Sequence, residues 1–169
     1  MAIGFVQVVG SEVRIIDYVE DSEKGLPYYI KLLQEKNYNY GKHFAPHDIQ
    51  VRELTTGASR LETAKNLGIN FSVVPNRSVA DGIDAVRNML ARTWFDKTNC
   101  EKLFNALSQY RKEWNDKLGV YHDTPLHDWT SHGSDMVRYL AIIVDQLSNE
   151  YEVSTTITNK KQTNVHSLI

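Results

Sequence analysis

Two aspartates far apart in the chain are the clearest candidates for chemistry: Asp48, directly after Ala45-Pro46-His47, and Asp135, closing Ser131-His132-Gly133-Ser134-Asp135. Carboxylate oxygens suit hard divalent cations, and Mg²⁺ is usually held by one or two carboxylates plus waters and phosphate oxygens. Two Mg²⁺ or Mn²⁺ ions about 4 Å apart supply an activated water and neutralise the transition state of phosphodiester hydrolysis. Both aspartates also have structural readings, Asp48 as a turn or cap residue and Asp135 as an acid favoured in the first turn of a helix. His122, His127 and His132, with Asp123 and Asp128, raise a zinc reading, but their spacing is neither that of a zinc finger nor that of a helical metalloprotease site. Arg52, Arg60 and Lys65 could contact phosphates or simply face solvent. Asp17 and Glu20 read as solvated face or loop residues, and Cys100 as a small buried hydrophobe.

The elements that must position these residues follow from periodicity. Ala2 to Val9 is apolar enough for a buried strand, and Val13 to Val19, after Gly10-Ser11, is β-branched and aromatic, so the two form an antiparallel hairpin. A helix is predicted over 25–36, with Pro27 in its first turn. His43-Phe44-Ala45 then fits a brief parallel strand that ends at Pro46 and leaves Asp48 at its carboxyl end. Ser59 and Glu62 make a capping-box pattern for a short helix stopped by Gly68, and Phe71 to Pro75 reads as a strand. Helices follow from Asp81, over 101–114, and from near Ser131, the last with Met136, Val137, Leu140, Ala141, Val144 and Leu147 on one face and Asp135 in its first turn. A hairpin followed by alternating helices and short strands implies an α/β fold, a mixed sheet with helices on its faces. After Asn149 the chain turns to Thr, Ser, Asn and Lys without helical period, which divides it into a domain over 1–149 and a polar tail over 150–169.

Composition sets wide bounds. The 169 residues suffice for one domain with a real core. With 41% hydrophobic and 24% charged residues the chain reads as ordinary soluble globular protein, without disorder or membrane spans. No secretory leader is legible, and a lone cysteine suits a reducing compartment, so a cytoplasmic protein is expected. A net charge of −2 does not announce a nucleic-acid binder, so any DNA contact must rest on local cations.

Several phrases, in order, resemble the nuclease domain of phage terminase large subunits: Lys42 to Asp48, Thr56 to Arg60, Leu67-Gly68-Ile69, Val79 to Arg87, Ala106 to Trp114 and Pro125 to Leu140. The resemblance implies a ribonuclease-H-like fold and a Mg²⁺- or Mn²⁺-dependent endonuclease that cuts concatemeric double-stranded DNA during head filling, in the host cytoplasm. Asp48 matches the family's second acidic ligand, Asp135 the acid on its final helix, and Asp128 an auxiliary ligand. The implied partners are portal, small terminase subunit and ATPase domain. Two departures stand out. The family's first metal-binding aspartate lies on a strand a few residues ahead of the position of Ala2-Ile3, and no Gly-x-x-x-x-Gly-Lys-Ser/Thr loop occurs. Impaired cleavage is therefore expected. The alternative is a non-catalytic remnant or a DNA- or partner-binding module on the same fold; a resolvase or transposase is a third possibility.

Overall fold

A computed structural model describes residues 1–54, 57–147 and 164–169. The hairpin is present: strands β1 (Ala2–Val9) and β2 (Glu12–Glu20) pair antiparallel, joined through Gly10 at a φ of 61°, which fits a primed two-residue turn. Helix α1 (Leu26–Glu35) follows with Pro27 in its first turn, then strand β3 (Tyr40–Ala45). Helix α2 (Arg60–Asn66) carries the anticipated capping box, Ser59 Oγ accepting from the Glu62 amide while the Glu62 carboxylate accepts from the Ser59 amide. Strand β4 (Phe71–Val73), helix α3 (Val79–Leu90), strand β5 (Thr93–Phe95) and helix α4 (Glu101–Gln109) complete the middle of the chain.

The fold is α/β, with a mixed six-stranded sheet opened by the hairpin and helices on both faces, an arrangement consistent with a ribonuclease-H-like architecture. Strand order is β4-β3-β8-β1-β2-β5, where β8 is Val165–Leu168. Among the described residues, β1 is the one strand of this sheet that runs against the other five. Alternate β1 residues enter different cores: Ile3 and Phe5 meet Tyr29, Ile30 and Leu33 of α1, while Ala2, Val6 and Val8 face the side of α3, α4 and α5 (Ser131–Ile143). Coverage of both faces explains why β1 reads as a continuous apolar run.

Three expectations need correction. The helix over 101–114 stops at Gln109, and Trp114 belongs to strand β6 (Lys112–Asn115), which pairs antiparallel with β7 (Val120–Pro125) in a separate ribbon. Asn115 Oδ1 accepts from the amides of Lys117 and Leu118, Gly119 takes a φ of 65°, and Trp114 packs on Tyr121 across the strands at 4.8 Å. These local turn bonds and the cross-strand aromatic pair outweigh the helical period.

The expected polar tail over 150–169 fails at its end. Its stretch 150–163 lies outside the described residues, but Val165–Leu168 is a strand inserted between β1 and β3, and all four of its residues are buried. β3 supplies partners for its polar side chains: His43 Nδ1 and Ser167 Oγ share a 2.6 Å hydrogen bond, and His166 Nδ1 accepts from the Lys42 amide at 3.0 Å, while His166 Nε2 is buried without a partner among the described residues. Asp17 and Glu20 are not solvated either. Asp17 is 7% exposed and accepts from Lys36, Tyr38 and the Tyr18 amide, and Glu20 accepts from the Tyr18 hydroxyl.

Two neutral histidines at this junction predict acid sensitivity. Burial first, then the neighbouring His166, lowers His43 from 6.5 to about 4, and burial lowers His166 as well. As pH falls from 6.5 toward 4, the unfolded chain binds a proton at His43 that the folded chain refuses, so stability falls through that window. After discounting for partial exposure, His43 should account for about 1–2 kcal/mol lost between pH 7 and pH 5. Urea unfolding at both pH values checks this: His43→Gln should show a smaller decrement than the unaltered chain, and equal decrements would refute the assignment.

Candidate active site

The carboxyl ends of parallel strands β3 and β8 open into a crevice, the usual place for a ligand site in an α/β sheet. After Ala45 the chain leaves β3 through Pro46, and His47–Gln50 forms a single 3-10 turn, the Ile49 amide donating to the Pro46 carbonyl at 3.1 Å. Ile49 is buried and anchors this turn in the α1 side of the core, so Asp48 stands exposed at the crevice mouth. Asp48 is thus placed beyond the strand end, as its spacing from the apolar His43-Phe44-Ala45 run implied.

Across the crevice stands α5. Gly4 of β1 allows its close approach, since a Cβ there would lie 2.5 Å from Met136 Sδ. The helix begins at Ser131, so Asp135 lies in its second turn and not in its first; stabilisation by the helix dipole does not account for it. His132, Asp135, Met136 and Tyr139 recur on one face of α5 and line a cleft of about 310 Å³. Asp48 lines the same cleft from the turn after β3, and Arg60 from the start of α2. Ala2, Ala45 and Ile169 add apolar wall. Asp48 and Asp135 therefore line one cleft.

Both aspartates also act on Tyr139 in the same cleft. Burial raises the Tyr139 hydroxyl; Arg138 opposes this, and Asp135 and Asp48 both add to it. Asp135 is also held by Arg138, whose Nη2 donates at 2.7 Å. Arg60 lies against Glu53 at 3.4 Å in an exposed pair, which leaves its guanidinium at the cleft edge.

Asp128 is not a member of this group. Its carboxylate accepts from the Thr130 amide at 2.8 Å and the Thr130 hydroxyl at 2.6 Å just ahead of α5, bonds that hold its carboxyl below the usual range. It does not line the cleft. Arg52 bonds the Gly57 carbonyl, and neither Arg52 nor Lys65 lines the cleft. His122 and Asp123 lie exposed on β7, and His127 and His132 approach each other edge-on at 6.2 Å between ring centres. Cys100 is fully buried and its thiol is pushed up to about 11 by burial, so it is the inert hydrophobe its sequence context suggested. Sequence reasoning overlooked Tyr139 and Ile169; the i, i+3, i+4, i+7 spacing of residues 132, 135, 136 and 139 was the available signal for Tyr139.

The donor set can be compared with the cation it was expected to hold. Among the described residues no group of three or more His, Cys, Asp or Glu side chains converges. Two carboxylates in one cleft suit a single hard cation completed by waters and phosphate oxygens, and fall short of a two-ion cluster. Both edges of β1 are occupied, by β2 on one side and by β8 on the other. No side chain over 165–169 is a carboxylate. No helix among the described residues is long and apolar enough to cross a membrane. No family model, curated protein or solved structure matches the chain.

Proposed function

We propose that this cleft is a phosphodiesterase site of the phage terminase nuclease type, acting on the backbone of double-stranded DNA with reduced catalytic capacity. The observation that carries the reading is the convergence of Asp48 and Asp135, distant in sequence, on one cleft that also holds a cation, Arg60. Asp48 and Asp135 would hold one Mg²⁺ or Mn²⁺. A divalent cation bound there neutralises charge developing on a phosphate. Arg60, at the rim, offers its guanidinium to a phosphate oxygen, a contact that positions the strand without reading bases. Apolar Ala2, Ala45 and Met136 on the cleft wall lower the local polarity, which strengthens each of these interactions. Portal, small terminase subunit and ATPase domain are the partners belonging to this reading, with the host cytoplasm as its location.

The test is nicking of supercoiled plasmid with Mn²⁺ by the unaltered chain, Asp48→Asn and Asp135→Asn. Weak nicking that falls to background in both variants is expected. Nicking at equal rates in all three would assign it to a contaminant and remove the reading. A second reading, a DNA- or partner-binding module without catalysis, draws on the Asp135–Arg138 ion pair and on the occupied edges of β1. It predicts no nicking, together with metal-independent retention of DNA in a gel that Arg60→Ala weakens.

A further inference from the structure

A second cavity of about 310 Å³ lies on the neighbouring face of α5, between that helix, α3, the end of α4 and the β6–β7 ribbon. Its walls are apolar, with Ile83, Val86 and Leu90 from α3, Leu107 from α4 and Pro125 from β7. Its charged lining is of one sign: Arg87, Arg111, Lys112 and Arg138, with no carboxylate among the lining residues. Arg87 and Lys112 pair with Asp84 and Asp123, whose side chains are largely exposed.

Among the described residues, two polar atoms of the lining side chains have no hydrogen-bond partner. Ser134 Oγ and Arg138 Nε are both inaccessible, on residues 4% and 8% exposed. They sit one helical turn apart on α5, so their side chains present adjacent donors. Arg138 is held firmly: its stem lies over Gly82 of α3, where a Cβ would collide with its Cγ and Cδ, and its Nη2 is committed to Asp135. Buried donors are rarely left unpaired, and an unpaired guanidinium nitrogen beside a hydroxyl is a ready oxyanion partner.

We propose that this cavity binds a small organic oxyanion, a carboxylate or phosphate head on a short apolar body. The head would enter beside Ser134 and Arg138 and accept from Oγ and Nε once a small shift of these side chains exposes them, and the body would lie against Ile83, Val86 and Leu107. The volume is at the small end of the range for ligand pockets, which suits such a molecule and excludes a duplex. The proposal does not depend on the nuclease reading, although Arg138, which lines this cavity, also pairs with Asp135 of the first cleft.

The experiment is a titration of the ¹⁵N-labelled full chain with octanoate, phenyl phosphate and inorganic phosphate, followed by amide shifts. Saturable shifts confined to α3, α5 and the β6–β7 ribbon are expected with octanoate or phenyl phosphate, and weaker ones with inorganic phosphate, which lacks the body. Benzoate, which shares the phenyl body of phenyl phosphate, is added so that the tighter of these two identifies the head. Arg138→Lys, which keeps the charge and loses Nε, should weaken binding about tenfold, and Ser134→Ala, which removes only a hydroxyl, about threefold. If no probe saturates at the cavity, the two donors are satisfied by water and the proposal is overturned. Saturation that Ser134→Ala leaves untouched in a chain with an otherwise unchanged spectrum overturns it equally.

Discussion

Leu168→Asp should abolish cooperative folding. Leu168 is 1% exposed and packs into the core formed by α5, β1 and β3, with its strand paired on both sides. Removing a buried leucine side chain costs about 2–5 kcal/mol, and placing a carboxylate in an apolar core adds several more unless it is neutralised. That sum approaches the whole stability of a typical domain, about 5–15 kcal/mol. Urea unfolding followed by far-ultraviolet circular dichroism should show no cooperative transition for Leu168→Asp, and a transition weakened by about 3 kcal/mol for Leu168→Ala. A wild-type midpoint in Leu168→Asp would mean that β8 does not belong to the sheet. The consequence reaches the candidate site, because the Ile169 amide donates to the Phe44 carbonyl at 3.1 Å and Ile169 lines the cleft.

Asp17→Ala should cost about 3 kcal/mol, because it strands a cation and two donors together. The Asp17 carboxylate accepts from Lys36 Nζ, from the Tyr38 hydroxyl at 3.0 Å and from the Tyr18 amide at 2.8 Å. Lys36 is mostly shielded, with a side chain 29% exposed and its ammonium 5.0 Å from the centre of the Phe5 ring. Burial and then Asp17 push the Tyr38 hydroxyl up to about 12, so it remains a donor throughout the neutral range. The pair locks β2 to the segment between α1 and β3, which fixes the approach of β3 to the sheet. Chemical denaturation of Asp17→Ala, Lys36→Met and the double variant measures it. The double variant should recover part of the loss, since a hydrophobe replaces the stranded ammonium. A loss under about 1 kcal/mol in Asp17→Ala would show that water replaces the carboxylate at little cost.

These two interactions mark where sequence reading failed. Asp17 alternates with apolar neighbours on a strand, which reads as a solvated face; its burial depends on Lys36 and Tyr38 arriving from another element. Val-His-Ser-Leu at 165–168 has two polar residues in four and follows a polar stretch, so no period of two stands out. Its burial as a central strand depends on partners supplied by β3, the Lys42 amide and the His43 ring, which lie 124 positions away. The three-residue strand β5 was missed because a run that short carries no periodic signal.

The hairpin, α1, the capped α2, α3 and α5 were determined by the chain itself, because amphipathic periods, Ser59-Glu62 capping and the Gly10 turn act over a few neighbouring residues. The position of Asp48 just past a strand was determined in the same way, by Pro46. Tertiary structure alone decided that β8 fills the place beside β1, that Asp48 and Asp135 share a cleft while Asp128 stays outside it, and that Ser134 and Arg138 face a second cavity. The physical reason is that each depends on closing long loops to bring distant groups together. Local propensity does not encode that closure, and only the packing of both sheet faces offsets its entropy.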